Sequence, residues 1–257
     1  MGELGALYAM WYRQVKRFYR MRSRVAASII QPIVWMAFFG IGMSSALGRA
    51  GFFASSGVSY MLFMVPGVVM MAVFFTSFMS GIAVIWDREF GFLKEIMVTP
   101  VNRISIVIGR IVGGATTSIL QGILILGISI LMGFKIPSIF AFLLSVVFML
   151  LISSTFIGLG LIFASKMKDI HGFSLIMNFV IFPLFFLSGA LFPLKNLPVW
   201  IRYISYIDPL TYGVDGLRGA LIGVSSFPLF YNFVILIGFS AIMVFLGAYF
   251  FEKSESV

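Results

Sequence analysis

The sequence predicts an all-α membrane protein with six transmembrane helices, and three observations carry that prediction. Only 11% of the 257 residues are charged and 61% are hydrophobic, whereas a soluble domain carries roughly 25% charged residues. Several apolar runs reach the roughly 20 residues that a helix needs to cross a bilayer. The Lys and Arg residues crowd beside those runs, as membrane orientation demands. The spans use up almost the whole length, so residues 1–257 read as a single transmembrane domain.

Residues 1–24 come first and are too polar to span. Arg13, Lys16, Arg17, Arg20 and Arg24 fall on one helical face, with Leu4, Leu7, Tyr8, Trp11, Val15 and Phe18 on the other. That segregation predicts an amphipathic helix lying in the membrane interface, its cations toward lipid phosphates and cytosol. Spans are predicted at 25–47, 58–85, 105–133, 138–164, 171–190 and 229–251. The first run is much longer than the core of a cleavable leader and is read as a span. Pro66 and Gly67 predict a kink in the second. The turn from Phe134 to Pro137 is so short that the third and fourth spans must form an antiparallel hairpin. Gly109, Gly113 and Thr117 recur every four residues in the third span, a stripe that lets backbones approach. Its partner, within the chain or on a second copy, is left open by the spacing.

Six spans put both termini on one side. Thirteen Lys and Arg residues then flank that side and five the other, which predicts cytoplasmic termini and a multi-pass protein of the cell membrane. Residues 189–228 fall outside but stay apolar. They hold Pro193, Pro198, Pro209 and Pro228 together with Trp200, Tyr203, Tyr206 and Tyr212. A proline-broken aromatic stretch predicts an external re-entrant helical hairpin before the last span.

Several functions are disfavoured by what is missing. The net charge of +9 lies beside the spans, and no nucleic-acid motif accompanies it. With no cysteine and a lone histidine, His171, read as a loop residue, the chain offers neither metal ligands nor a histidine base, so no catalytic residue is assigned. No Gly-x-x-x-x-Gly-Lys-[Ser/Thr] motif occurs, so the chain is not expected to bind nucleotide phosphates or to act as an enzyme by itself. The spans carry no Asp, Glu or Lys at mid-depth, which argues against ion-coupled transport.

The inner loop 86–100 has its own pattern. Wound as a helix, Trp86, Phe90, Leu93 and Met97 share one face, and Asp87, Arg88, Gly91, Lys94 and Glu95 share the other. Pro100 ends the helix at Thr99. Such an element either shields the span ends or docks a cytosolic partner.

Here the sequence resembles a known family. Arg88-Glu-Phe-Gly-Phe-Leu-Lys-Glu-Ile-Met-Val-Thr-Pro100, followed by Arg103, Gly109-Arg110 and Gln121-Gly122, is similar to the signature of the ABC type-2 exporter permeases, with daunorubicin-resistance and nodulation-export permeases the nearest in kind. Leu187-Ser-Gly-Ala-Leu-Phe-Pro193 and Pro209-Leu-Thr-Tyr-Gly-Val-Asp-Gly-Leu-Arg218 resemble that family's external segment. The resemblance implies two copies of a separate ABC ATPase subunit that bind ATP and magnesium, and a second permease copy forming a homodimer or heterodimer. It implies that 86–100 is the coupling helix. Asp87, Arg88, Glu89, Gly91, Lys94 and Glu95 would meet the ATPase, while Phe90, Leu93 and Met97 hold the membrane domain. The cargo would be an amphipathic drug, a lipid or a lipid-linked glycan moved outward. Phe74, Phe75, Phe78, Phe182, Phe185 and Phe186 are the candidate path, each with a core or lipid-facing alternative. Asp208, Asp215 and Arg218 are placed at the outer mouth, where Asp215 and Arg218 are spaced for a local ion pair. The alternatives are an ion-conducting channel, which lacks a polar ring along a span, and an intramembrane lipid-modifying enzyme, for which Asp87 and Glu89 are the only close acidic pair.

Overall fold

The computed structural model describes residues 3–47, 53, 58–91, 103–167 and 171–254, and every regular element among them is helical. The elements are α1 (Glu3–Arg20), α2 (Arg22–Leu47), α3 (Tyr60–Glu89), α4 (Arg103–Leu131) and α5 (Ile139–Lys166). There follow α6 (171–187), α7 (Val199–Ser205), α8 (Pro209–Ile222) and α9 (Leu229–Ser254). Local chemistry sets several ends. The Ser59 and Ser138 hydroxyls accept from the Leu62 and Ala141 amides at 3.3 and 3.1 Å and cap α3 and α5. Gly133, with φ of 97°, turns the chain between α4 and α5, as the short-turn prediction requires.

Among the described residues, four helices are long and apolar enough to cross a bilayer: Tyr60–Arg88, Ser105–Leu131, Ile139–Lys166 and Leu229–Lys253. A fifth crossing arises if α1 and α2, bent by 67°, count together. α6 is shorter and is interrupted by a π-helical stretch at Met177–Ile181, between α-helical His171–Ile176 and Phe182–Leu187. Large apolar side chains stand exposed along the outer faces of α5 (Phe140, Leu143, Val147, Leu150) and α9 (Phe230, Val234, Phe245). Lipid accommodates such surfaces, which in water would be a liability.

α3 is the axis of the bundle, packed by α5, α4, α2 and α8, while α5 also carries α9 along its length. Four glycines let these backbones touch. A Cβ at Gly160 would lie 2.7 Å from the Phe78 carbonyl oxygen and one at Gly81 2.5 Å from that of Ile157, so α3 and α5 meet without side chains between them. Gly247 of α9 lies equally close to Gly158 of α5. α3 runs on through Pro66 as a single helix. Gly67 has a different use from the predicted kink: any Cβ there would strike the carbonyl of Ala190, in the turn that follows α6.

The segment before α9 forms two short helices, as its prolines predict. Of these, α8 is almost wholly buried, against α5, α9 and α3.

Candidate functional site

The densest charge cluster joins three helices around one carboxylate. Asp87, in the last turn of α3, is 3% exposed. Arg13 of α1 donates to both its oxygens at 3.2 and 2.7 Å, Arg17 of α1 donates at 3.1 Å, and Arg110 of α4 donates at 2.8 Å. Three guanidinium groups thus share one anion. Arg110 is fully buried, and its Nε and Nη1 have no hydrogen-bond partner among the described residues.

α1 reaches this cluster because α4 is flattened beneath it. A Cβ at Gly109 would lie 2.8 Å from the Leu7 carbonyl oxygen, and one at Gly113 2.7 Å from the Gln14 Cβ. The small-residue stripe is therefore the seat of α1 within the chain. The Trp11 indole donates to the Thr116 hydroxyl at 3.1 Å and fixes the register.

These contacts correct three expectations. α1 is amphipathic, but Met10 and Gln14 are its buried residues and Leu4 and Tyr8 are 83% and 61% exposed. Arg13 and Arg17 face protein rather than phosphates, since the buried Asp87 offers a stronger partner than a solvated headgroup. Secondly, 86–98 is not one helix. Residues 86–89 end α3, Phe90 caps it, and Gly91 follows with φ of 73°, a left-handed stop that glycine takes without strain. Thirdly, two coupling candidates have partners inside the chain. Asp87 is held as described, and Arg88 donates to the Met167 carbonyl at the end of α5, at 3.1 Å. Phe90 is 82% exposed and does not hold the membrane domain. Leu93, Lys94, Glu95 and the Glu89 side chain lie outside the described residues.

The six path phenylalanines divide into two groups. Phe74 and Phe78 are fully buried between α3 and α5, edge-on to Phe156 (4.4 Å) and Phe163 (6.2 Å), and line no path. Phe75 touches Phe182 and Phe185 at 5.4 and 5.9 Å, Phe185 touches Phe186 at 5.4 Å, and Trp35 of α2 stands edge-on to Phe185 at 5.8 Å. This run joins α2, α3 and α6.

Below it lies a cavity of about 350 Å³ enclosed by α1, α2, α3, α4 and α6. Phe75, Phe182, Phe18, Met79 and Met177 are among its apolar lining, and Gln14, Arg17, Ser28, Thr76 and Gln121 among its polar lining. Gln121 is a girder of that polar lining. Its carbonyl accepts from Thr76 at 2.8 Å and its amide donates to the Ser28 backbone at 2.7 Å. Nearby, Ser77, Ser118 and Ser153 link α3, α4 and α5 through hydroxyl contacts of 3.1 and 2.6 Å.

The residues assigned to an outer mouth do not line one: Asp208, Asp215 and Arg218 are 3%, 2% and 4% exposed. Asp208 caps α8 by accepting the Leu210 amide at 2.9 Å. Asp215 accepts from the Ser226 and Phe227 amides and from Asn232 at 2.7, 3.0 and 2.9 Å, which fixes the α8–α9 turn. Arg218 donates to the carbonyls of Phe63, Gly189 and Ala190 and lies 3.6 Å above the Phe63 ring. The predicted Asp215–Arg218 pair is absent among the described contacts, because each group is occupied by backbone of another element.

Sequence reasoning missed Arg110 and Gln14 as site residues. Arg110 had a readable signal, a lone charge inside an apolar helix, which demands a partner. Gln14 had none. Among the described residues no cluster of His, Asp or Glu is placed to hold a metal.

Comparison with known proteins agrees with this architecture. Residues 5–222 match the family model of the ABC-2 type transporter. The chain is 29% identical over 237 residues to the inner membrane transport permease YadH of Escherichia coli K12, covering 91% of this chain and 90% of that one. It is 30% identical over 210 residues to the putative transport permease ycf38 of Cyanophora paradoxa, covering 79% and 71%. Nodulation protein J of Rhizobium leguminosarum bv. viciae is 24% identical over 218 residues, covering 84% and 82%.

Proposed function

This chain belongs to the ABC-2 type transporter family, and from that premise we propose that it is the permease of an exporter driven by a separate ATP-binding subunit. Transport across a membrane is what the family and its permease relatives have in common. The finer reading is that two copies pair with two ATPases, which bind the ATP and magnesium, and that an amphipathic cargo moves outward. The chain itself then binds no cofactor and does no catalysis.

The Asp87 cluster is the observation that favours this reading. Residues 92–102 connect α3 to α4 in sequence, and Asp87 locks the end of α3 to Arg110 of α4 and to α1. A push on that connection by a partner would reach three helices as one unit. Coupling is assigned to the stretch beyond Gly91, which holds Lys94 and Glu95. The double charge reversal Lys94→Glu with Glu95→Lys is expected to lower cargo-stimulated ATP hydrolysis at least about tenfold, the scale of one charged contact. The measurement is made in proteoliposomes holding both subunits. Unchanged stimulation would remove this stretch from the coupling route.

The reading also has α2 and α6 completing six crossings with both termini in the cytoplasm. Because the chain has no native cysteine, single Lys195→Cys and Lys253→Cys substitutions report sidedness cleanly. An impermeant maleimide added outside whole cells should label the first and spare the second. Equal labelling sinks the six-span topology.

A further inference from the structure

The cavity beside α1 is lined by both polar and apolar groups, a combination that selects a ligand. Its polar lining includes Gln14, which is 8% exposed and whose amide nitrogen has no hydrogen-bond partner among the described residues. A buried amide donor without an acceptor is destabilising by about 1–3 kcal/mol unless something supplies an oxygen. One helical turn further on, Arg17 also lines the cavity. It belongs to the cluster where three guanidinium groups face a single carboxylate, so the local charge among the described residues is positive. In a low-dielectric setting that excess attracts an anion and repels a cation. The apolar lining is adaptable. Met79 and Met177 reshape readily around varied tails, and Phe75 and Phe182 offer flat faces. Ala27 and Gln31 of α2, both exposed, stand at the rim.

We propose that this cavity is the entry site for an amphiphile with an anionic, phosphate-like head and a single apolar tail segment. Gln14 and Arg17 receive the head, and Phe18, Met79, Met177 and Phe182 receive the tail. The proposal names the cargo class of the transport reading and rests on it. It places the first contact inside one chain, beside α1, rather than between two copies. The size agrees: about 350 Å³ lies at the lower end of ligand pockets, roughly 300–1,000 Å³.

The test uses the purified chain alone in a neutral maltoside detergent, with dodecyl phosphate as the probe and native mass spectrometry as the readout. Dodecyl phosphate is expected to bind once per chain and at least about tenfold more tightly than dodecyltrimethylammonium, the factor that one charged hydrogen bond supplies. Gln14→Leu should weaken it roughly three- to tenfold, Arg17→Gln further, and Ala27→Trp should abolish it by filling the rim. Thermal unfolding of each variant is followed in parallel. If Arg17→Gln unfolds because it also touches Asp87, Gln14→Leu and Ala27→Trp decide. Inorganic phosphate should not displace the probe; displacement at equal concentration would overturn the tail requirement and leave a bare anion site. Equal binding of the ammonium probe, or binding that survives Ala27→Trp, overturns the proposal. A chain that binds no probe yet still transports with its ATPase sinks this site and leaves the transport reading intact.

Discussion

Replacing Asp87 with alanine should destabilise the protein by about 3–5 kcal/mol, the loss that follows when one partner of a buried ion pair is removed. The residue is small and surface helices tolerate alanine, so the size of the effect comes from what stays behind. Arg110 is fully buried and donates to Asp87 at 2.8 Å. Without the carboxylate, its charge has no counter-ion among the described residues, and Arg13 and Arg17 each lose a partner as well. The helices then repel where they now hold. The conservative pair Asp87→Leu with Arg110→Met removes both charges and should recover most of the loss, since apolar replacements of buried pairs are often neutral. Thermal unfolding in detergent, read alongside the ATPase stimulation of the reconstituted complex, separates the two. A single variant as stable as the parent would mean that the arginines find other partners. The double variant should be folded and poorly coupled, because α1, α3 and α4 no longer move together.

Gly160→Leu should be as damaging for a different reason. A Cβ there meets the Phe78 carbonyl oxygen at 2.7 Å and the Gly81 Cα at 3.0 Å, both backbone atoms. No rotamer change relieves that contact, so α3 and α5 must separate along the most buried seam of the bundle. Overpacking of a flexible core costs about 1–3 kcal/mol, and a backbone clash belongs at or above the upper end. The control lies one helix away. Gly127 of α4 has nothing within 4 Å of a Cβ, and Gly127→Leu should be neutral to within about 0.5 kcal/mol. Size-exclusion profiles and unfolding midpoints of the two variants compare them directly, and matched behaviour would deny the seam its role.

The helices were legible in the sequence because their signal is periodic and local. The predicted 58–85 and 138–164 differ from Tyr60–Glu89 and Ile139–Lys166 only at the ends. The prolines and aromatics of 189–228 also reported their short helices. Partners were not legible. Asp87 and Arg88 read as a docking face because the helix wheel knows nothing of Arg13, 74 residues away. The wheel of α1 gave the amphipathicity but could not show that Arg13 and Arg17 turn to a buried carboxylate. The stripe at Gly109 and Gly113 announced a close neighbour without saying that α1 was it. Asp215 and Arg218 looked like a pair at helical spacing, yet loop amides and turn carbonyls satisfied them separately. Within the path phenylalanines, Phe74 and Phe75 are adjacent and their rings touch at 4.9 Å, yet one is buried in the core and the other lines the cavity. Spacing could divide them but not say which was which.

One helix connects the Asp87 cluster to the buried Arg218. α3 carries Asp87 near its last turn, and near its first turn Phe63 lies under the Arg218 guanidinium. The 24 positions between them span about 36 Å at 1.5 Å per residue. Glycine contact with α5 places a fulcrum along that length, at Gly81, closer to the Asp87 end. Pivoting there as a rigid rod, the helix would be an unequal lever. Six residues, about 9 Å, form the short arm, and 18 residues, about 27 Å, form the long one. A tilt that shifts the Asp87 end by about 1 Å carries the Phe63 end through about 3 Å, roughly the length of a hydrogen bond. Under such a tilt, a small displacement at the charge cluster would be enough to break or make the Arg218 contacts with Phe63.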